Sequence, residues 1–238
     1  MSDNMDQIGR RQLMALGMMA AGVALTPAVA DAASSAPRDP DGACRALMEG
    51  NARYVAGLKT GGSGRGQARR SDVAPSQFPF ATVLGCADSR VAPEVLFDTG
   101  IGDLFVVRVA GNAVDLTDHN VIGSLEYAHL VLGSNLIMVL GHTSCGAVGS
   151  ALKTIDGNSE LPGSIEHIVD AIRPAVRRSK ERSGSGDALA RATAENVRVA
   201  IERLKASHPI LAPAVDSGRL RVVGGIYDLA SGAVTPVE

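Results

Sequence analysis

An α/β fold built on a mainly parallel sheet, with helices on both faces, is the architecture this sequence predicts, and two observations predict it. Short uninterrupted apolar runs stand at Phe80–Gly85, Leu104–Val109, Asn135–Leu140 and Leu220–Ile226. Segments with apolar residues at helical spacing separate them. Strands covered on both faces lose the polar alternation of a half-exposed sheet, and helices between them supply the crossovers that parallel pairing needs.

From the N-terminus, Arg10-Arg11 precede an uncharged stretch, Gln12 to Ala30, that ends in the small-x-small pattern Ala28-Val29-Ala30. This resembles a twin-arginine export signal, with Gly9 where Ser or Thr is usual and Leu13 where Phe is common. Residues 1–30 are therefore expected to be removed, leaving a periplasmic protein with no stable membrane insertion after signal cleavage. Residues 31–41 read as a flexible leader, and 42–238 as a single domain. Residues 42–57 have the apolar spacing of an amphipathic helix, and the Gly-, Ser- and Arg-rich stretch 58–76 reads as a loop. Thr117 or Asp118 offers a cap for a helix carrying Val121, Ile122, Leu125 and Leu132, closed by Gly133. Further helices are predicted over 165–179 and from about Asp187 to Ser207, the last stopped before Pro209.

Composition narrows the function. The 238 residues carry a formal net charge of −2, and there is no Trp among the few aromatics. That balance gives no electrostatic footprint for a nucleic-acid partner and no stacking platform for single strands. An exported protein with three cysteines ordinarily pairs two of them, but a metal bound before export would keep thiolates occupied instead.

In open parallel sheets, ligands bind at the carboxyl ends of the strands. Two strand ends carry chemistry: Cys86-Ala87-Asp88-Ser89-Arg90 and His142-Thr143-Ser144-Cys145-Gly146. Together they offer two thiolates and one imidazole. Zinc takes those donors tetrahedrally, and three protein ligands leave one position open for chemistry. Asp88 is close enough in sequence to act as a fourth ligand, and Arg90 can hold its carboxylate through paired N–H bonds. Held by Arg90, Asp88 leaves the metal open; released, it closes the site. His119, His129, His167 and His208 carry no supporting pattern, and Cys44 reads as a helix-face residue.

Cys-x-Asp-Ser-Arg followed by His-x-x-Cys-Gly resembles the β-class carbonic anhydrases. The similarity extends through GNARYVAG (50–57), QFPFATVLGCADSRVAPEVLFD (77–98), DLFVVRVAGN (103–112), GSLEYA (123–128) and VLGHTSCGAV (139–148). The resemblance implies a four-stranded parallel core with an extra edge strand, and a homodimer or dimer of dimers. It implies one Zn2+ per chain on Cys86, His142 and Cys145, with Asp88 and Arg90 as the catalytic dyad. It assigns Gln77 to a hydrogen bond with substrate, the Gly146 N–H to a bicarbonate oxygen, and Phe105 and Tyr127 to the carbon dioxide pocket, Tyr127 reaching in from a partner subunit. The reaction it implies is reversible hydration of carbon dioxide to bicarbonate and a proton by zinc-bound hydroxide. A relative acting on carbonyl sulfide or carbon disulfide, and a non-catalytic zinc-binding protein, remain alternatives. A thiol–disulfide protein using Cys86 and Cys145 would lack the usual Cys-x-x-Cys pair.

Overall fold

The computed structural model describes residues 37, 39–58, 63–155, 161–182 and 187–237. The expected export signal, 1–30, and residues 31–36 and 38 of the leader lie outside them. The first helix, α1 (Pro40–Val55), begins and ends two residues ahead of the expected 42–57. Asp39 sets its start: the carboxylate accepts the Gly42 N–H at 2.6 Å, and Pro40 occupies the first turn, where no N–H is needed.

The stretch expected to be a loop, 58–76, instead carries a 3-10 turn (Ser63–Arg65) and the helix α2 (Gln67–Val73). No residue of α2 is buried, so it has no apolar stripe to announce it. Arginine side chains anchor it instead. Arg65 Nε donates to the Thr99 carbonyl at 3.1 Å, Arg69 Nε to the Ile101 carbonyl at 2.8 Å, and Arg69 Nη2 to Asp103 at 2.7 Å.

The sheet contains β1 (Ala81–Cys86), β2 (Leu104–Val109), β3 (Leu136–His142), β4 (Arg221–Tyr227) and β5 (Val234–Val237), in the order β2-β1-β3-β4-β5. The first four run parallel, and β5 lies antiparallel on β4, which is the expected four-stranded core with an extra edge strand. Each expected strand is present within two residues of its predicted bounds.

Between the strands lie α3 (Pro93–Leu96), α4 (His119–Leu130), α5 (Gly146–Thr154), α6 (Ile165–Glu181), α7 (Ala188–Lys205) and α8 (Leu211–Asp216). Asp118 is the cap of α4, accepting the Asn120 and Val121 N–H groups at 3.0 and 3.3 Å. Asp187 caps α7 in the same way. One face of the sheet buries Leu84, Ile137, Val139 and Val222 against Val121 and Leu125 of α4 and Val197 and Leu204 of α7. The other buries Val83, Leu136, Met138 and Leu140 against Leu47 of α1 and Leu96 of α3. Burial of each such side chain contributes ~1.5–3 kcal/mol, offset by the entropy of ordering it.

Close approach fixes where β3 ends. A Cβ at Gly141 would stand 2.7 Å from Val197 Cγ2 of α7, so only glycine lets the helix lie against the strand just before His142. Among the described residues, no helix is long and apolar enough to cross a membrane.

Candidate metal centre and active site

β1 and β3 are parallel neighbours, with Gly85 opposite Leu140, so Cys86 and His142 leave the sheet side by side at its carboxyl edge. The chain then turns from His142 through Thr143 and Ser144 into α5, and Cys145 stands as the N-cap of that helix. The ligand atoms of Cys86, His142 and Cys145 all lie within 4.8 Å of one another, and all three residues are buried.

The surroundings orient each donor. Cys86 Sγ accepts the Gly111 N–H at 3.1 Å and the Asp88 N–H at 3.4 Å. The N–H groups of Val148 and Ala147, in the first turn of α5, face the Cys145 sulfur. His142 Nδ1 lies 2.9 Å from the Thr143 carbonyl oxygen, which only a protonated Nδ1 can satisfy. In the neutral ring Nε2 then carries the lone pair, and that buried atom has no hydrogen-bond partner among the described residues. A buried polar atom without a partner is costly, and a cation in front of it removes the cost.

The thiols show the same preparation. Donation by Cys145 holds the Cys86 thiol well below its ordinary range, and the Cys86 sulfur pushes Cys145 up. One sulfur thus donates to the other beside the imidazole. Soft thiolates with an imidazole form a donor set that fits zinc, and three donors leave its fourth position open.

Asp88 stands at the rim of this group. Arg90 holds both carboxylate oxygens, Nε to Oδ1 at 2.9 Å and Nη2 to Oδ2 at 2.7 Å, and the Arg90 backbone N–H adds a bond to Oδ1 at 2.9 Å. Those bonds keep the carboxyl well below the usual carboxylate range. Asp88 Oδ2 lies 3.9 Å from His142 Nε2, beside the position a metal would occupy.

Residues 81–234 match the family model for carbonic anhydrase. The chain belongs to the carbonic anhydrase family. A carbonic anhydrase of Mycolicibacterium smegmatis is 40% identical over 196 residues, covering 82% of this chain and 92% of that one. The solved β-carbonic anhydrase of Coccomyxa, in complex with acetazolamide, is 31% identical with a TM-score of 0.64, covering 80% of this chain and 84% of that one. Tetrameric β-carbonic anhydrases of Sordaria macrospora share the fold, with a TM-score of 0.62 at 24% identity over 70% of this chain and 84% of theirs. The protein is thus a β-class carbonic anhydrase, a lyase of the carbonate dehydratase type.

Within one chain of this carbonic anhydrase, the residues expected at the site divide into two groups. Cys86, His142, Cys145, Asp88 and Arg90 converge, and the exposed Gly146 opens α5 next to them, with nothing within 4 Å of where a Cβ would stand. Gln77, Phe105 and Tyr127 lie elsewhere. Gln77 is exposed ahead of β1, and the six residues of that strand at ~3.3 Å each put it about 20 Å from its own Cys86. Phe105 sits near the start of β2, opposite Thr82, and packs on Tyr127 of α4 with ring centroids 6.3 Å apart.

Two further residues support the centre and carry no motif. Arg108 of β2 donates to the carbonyl oxygens of Cys86 and Asp88 at 3.0 and 2.6 Å. Asn196 Nδ2 of α7 donates to the Gly111 carbonyl at 2.7 Å, and so fixes the peptide whose N–H meets Cys86. The one sequence sign of them is a lone charge, Arg108, inside the apolar run Leu104–Val109.

Proposed function

We propose that this β-class carbonic anhydrase holds one zinc ion on Cys86, His142 and Cys145 and hydrates carbon dioxide at the remaining coordination position. The unpartnered, buried Nε2 of His142, facing two sulfurs, carries the proposal. When bound, the ion would supply Lewis acidity that makes water a nucleophile at neutral pH.

The chain's own residues do the rest. Asp88, kept ionised and gripped by Arg90, can only accept hydrogen bonds. It accepts a hydrogen bond from the reacting oxygen and so turns a lone pair of that oxygen towards carbon dioxide. The Gly146 N–H, free at the first turn of α5, donates to an oxygen of the bicarbonate that forms. Carbon dioxide and water give bicarbonate and one proton, and the proton leaves to solvent. If the Arg90 grip were broken, the Asp88 carboxylate, 3.9 Å from His142 Nε2, would be near enough to serve as a further ligand and close the site.

Gln77, Phe105 and Tyr127 serve the site of a second subunit in a homodimer or dimer of dimers. Their distance from their own metal centre supports this. So does the apolar surface around the edge strand β2, where Leu116, Tyr127, Leu130 and Val131 are 43–60% exposed. The twin-arginine-like sequence of residues 1–30 supports export to the periplasm.

Elemental analysis of the purified protein tests the ligand assignment. One zinc per chain, lost in Cys145→Ala and in His142→Ala, is the expected result; zinc retained in both variants would contradict it.

A further inference from the structure

Arg108 is the exposed residue of an otherwise apolar strand, and its guanidinium is not spent on a carboxylate. It reaches over the end of β1 and donates to two main-chain carbonyls, Nε to Cys86 at 3.0 Å and Nη2 to Asp88 at 2.6 Å. These oxygens bracket the short turn Cys86-Ala87-Asp88, whose middle N–H is also tied to β2, Ala87 to the Val109 carbonyl at 3.2 Å. Arg90 meanwhile holds the side chain of Asp88 and nothing of its carbonyl. Two arginines therefore divide one loop between them. Arg108 fixes the direction of the main chain and Arg90 the direction of the carboxylate.

The direction of the main chain decides which way a side chain leaves it. With its carbonyl pinned, Asp88 projects its carboxylate onto Arg90. Without that pin, the Asp88 carbonyl keeps only the Val91 N–H, at 3.0 Å, the turn is held less firmly, and the carboxylate, already 3.9 Å from His142 Nε2, would have a bound cation to turn to. We propose that Arg108 is a positioning residue that locks the Cys86–Asp88 main chain, and so keeps the Asp88 carboxylate on Arg90 and off the metal. This rests on the assignment of Cys86, His142 and Cys145 as ligands. A planar fork with two donors in fixed geometry suits two carbonyls; the single ammonium of lysine does not.

The test is cobalt(II) substituted for zinc in the full chain, with the visible spectrum recorded with and without azide. The wild-type protein should show thiolate-to-cobalt charge transfer and a ligand-field spectrum that azide shifts. Arg108→Ala should bind the same amount of cobalt, lose the azide response, and lose about 10- to 100-fold in kcat/KM, the usual scale for groups that hold a metal site from outside. Adding Asp88→Ala to Arg108→Ala should restore the azide response but not the rate. Arg108→Lys should behave like Arg108→Ala, and decides the matter if Arg108→Ala does not fold. A variant with wild-type spectrum, azide response and rate would overturn the proposal. So would a loss of rate that follows only a loss of bound metal or of thermal stability. Absence of sulfur-to-cobalt charge transfer in the wild-type protein would instead sink the ligand assignment beneath it.

Discussion

Arg90 grips the Asp88 carboxylate with two side-chain bonds, at 2.9 and 2.7 Å, in the fork geometry that only a guanidinium supplies. The pair is partly exposed, with side-chain accessibilities of 54% and 18%, so its value is in placement more than in stability. Replacing Arg90 should therefore leave the fold intact and spoil the chemistry. Arg90→Ala is expected to lower kcat/KM by about 10- to 100-fold with zinc content and thermal midpoint close to wild type. Arg90→Lys should not recover the rate, because one ammonium cannot make both bonds. Steady-state hydration assays on metal-counted samples check both.

Gly111 is the inner support of the same centre. Its φ of 70° is a left-handed conformation, and a Cβ there would stand 2.7 Å from Ile172 Cδ1 and 3.0 Å from Ala147 Cβ. Gly111→Ala combines backbone strain with crowding, together about 1–3 kcal/mol of lost stability. In a chain of this length that is a fall of roughly 2–4 °C in thermal midpoint per kcal/mol. Because the Gly111 N–H is a donor to Cys86, the variant should also release zinc faster to a chelator. Asn196→Ala, which frees the Gly111 carbonyl, should give the milder form of both effects. Differential scanning calorimetry and chelator competition measure them.

Metal removal should be legible in the thiols. The structure contains three free cysteines, of which Cys86 and Cys145 are buried and Cys44 is half-buried. With zinc bound, a thiol reagent is expected to label Cys44 alone. After chelation, Cys86 should react as well, since its thiol is held well below the ordinary range, and Cys145 should follow as the site opens. Mass spectrometry of labelled protein identifies which residues react. Rapid labelling of Cys86 in zinc-loaded protein would contradict the ligand assignment.

Stability and catalysis should separate at Glu195. This carboxylate is 2% exposed and joins α6 to α7, with Arg178, Arg182 and Arg198 at 2.8, 3.1 and 3.2 Å. Glu195→Gln removes the charge that holds three arginines together, at a cost of about 1–3 kcal/mol. It touches nothing at the metal centre, so the rate per bound zinc should stay at the wild-type value. Chemical denaturation alongside the hydration assay tests the pairing of those two outcomes.

How far the sequence carried can be judged residue by residue. The four parallel strands were legible because strands buried on both faces write continuous apolar runs, and the cap of α4 was legible as Thr117 or Asp118 because capping needs a short polar side chain, whereas Asp187 was legible only as the approximate start of a helix. The group of Cys86, His142 and Cys145 was legible because its members follow strand ends in a parallel sheet. The helix Gln67–Val73 was not, because it buries nothing and is held by arginines whose partners lie about thirty residues on, at Ile101 and Asp103. Arg108 and Asn196 were not, because their roles are bonds to backbone carbonyls of other elements, which no local pattern records. The separation of Gln77, Phe105 and Tyr127 from their own Cys86 became visible only once strand direction and register were known.

The most direct test of the account is stopped-flow carbon dioxide hydration by the purified protein at alkaline pH, with zinc measured on the same sample and Asp88→Ala run beside it. One zinc per chain in both proteins, with fast hydration in the wild type and its loss in Asp88→Ala, is the predicted result. Full zinc occupancy with hydration unaffected by Asp88→Ala would contradict the central claim that Asp88, steered by Arg90, directs the attack at the metal.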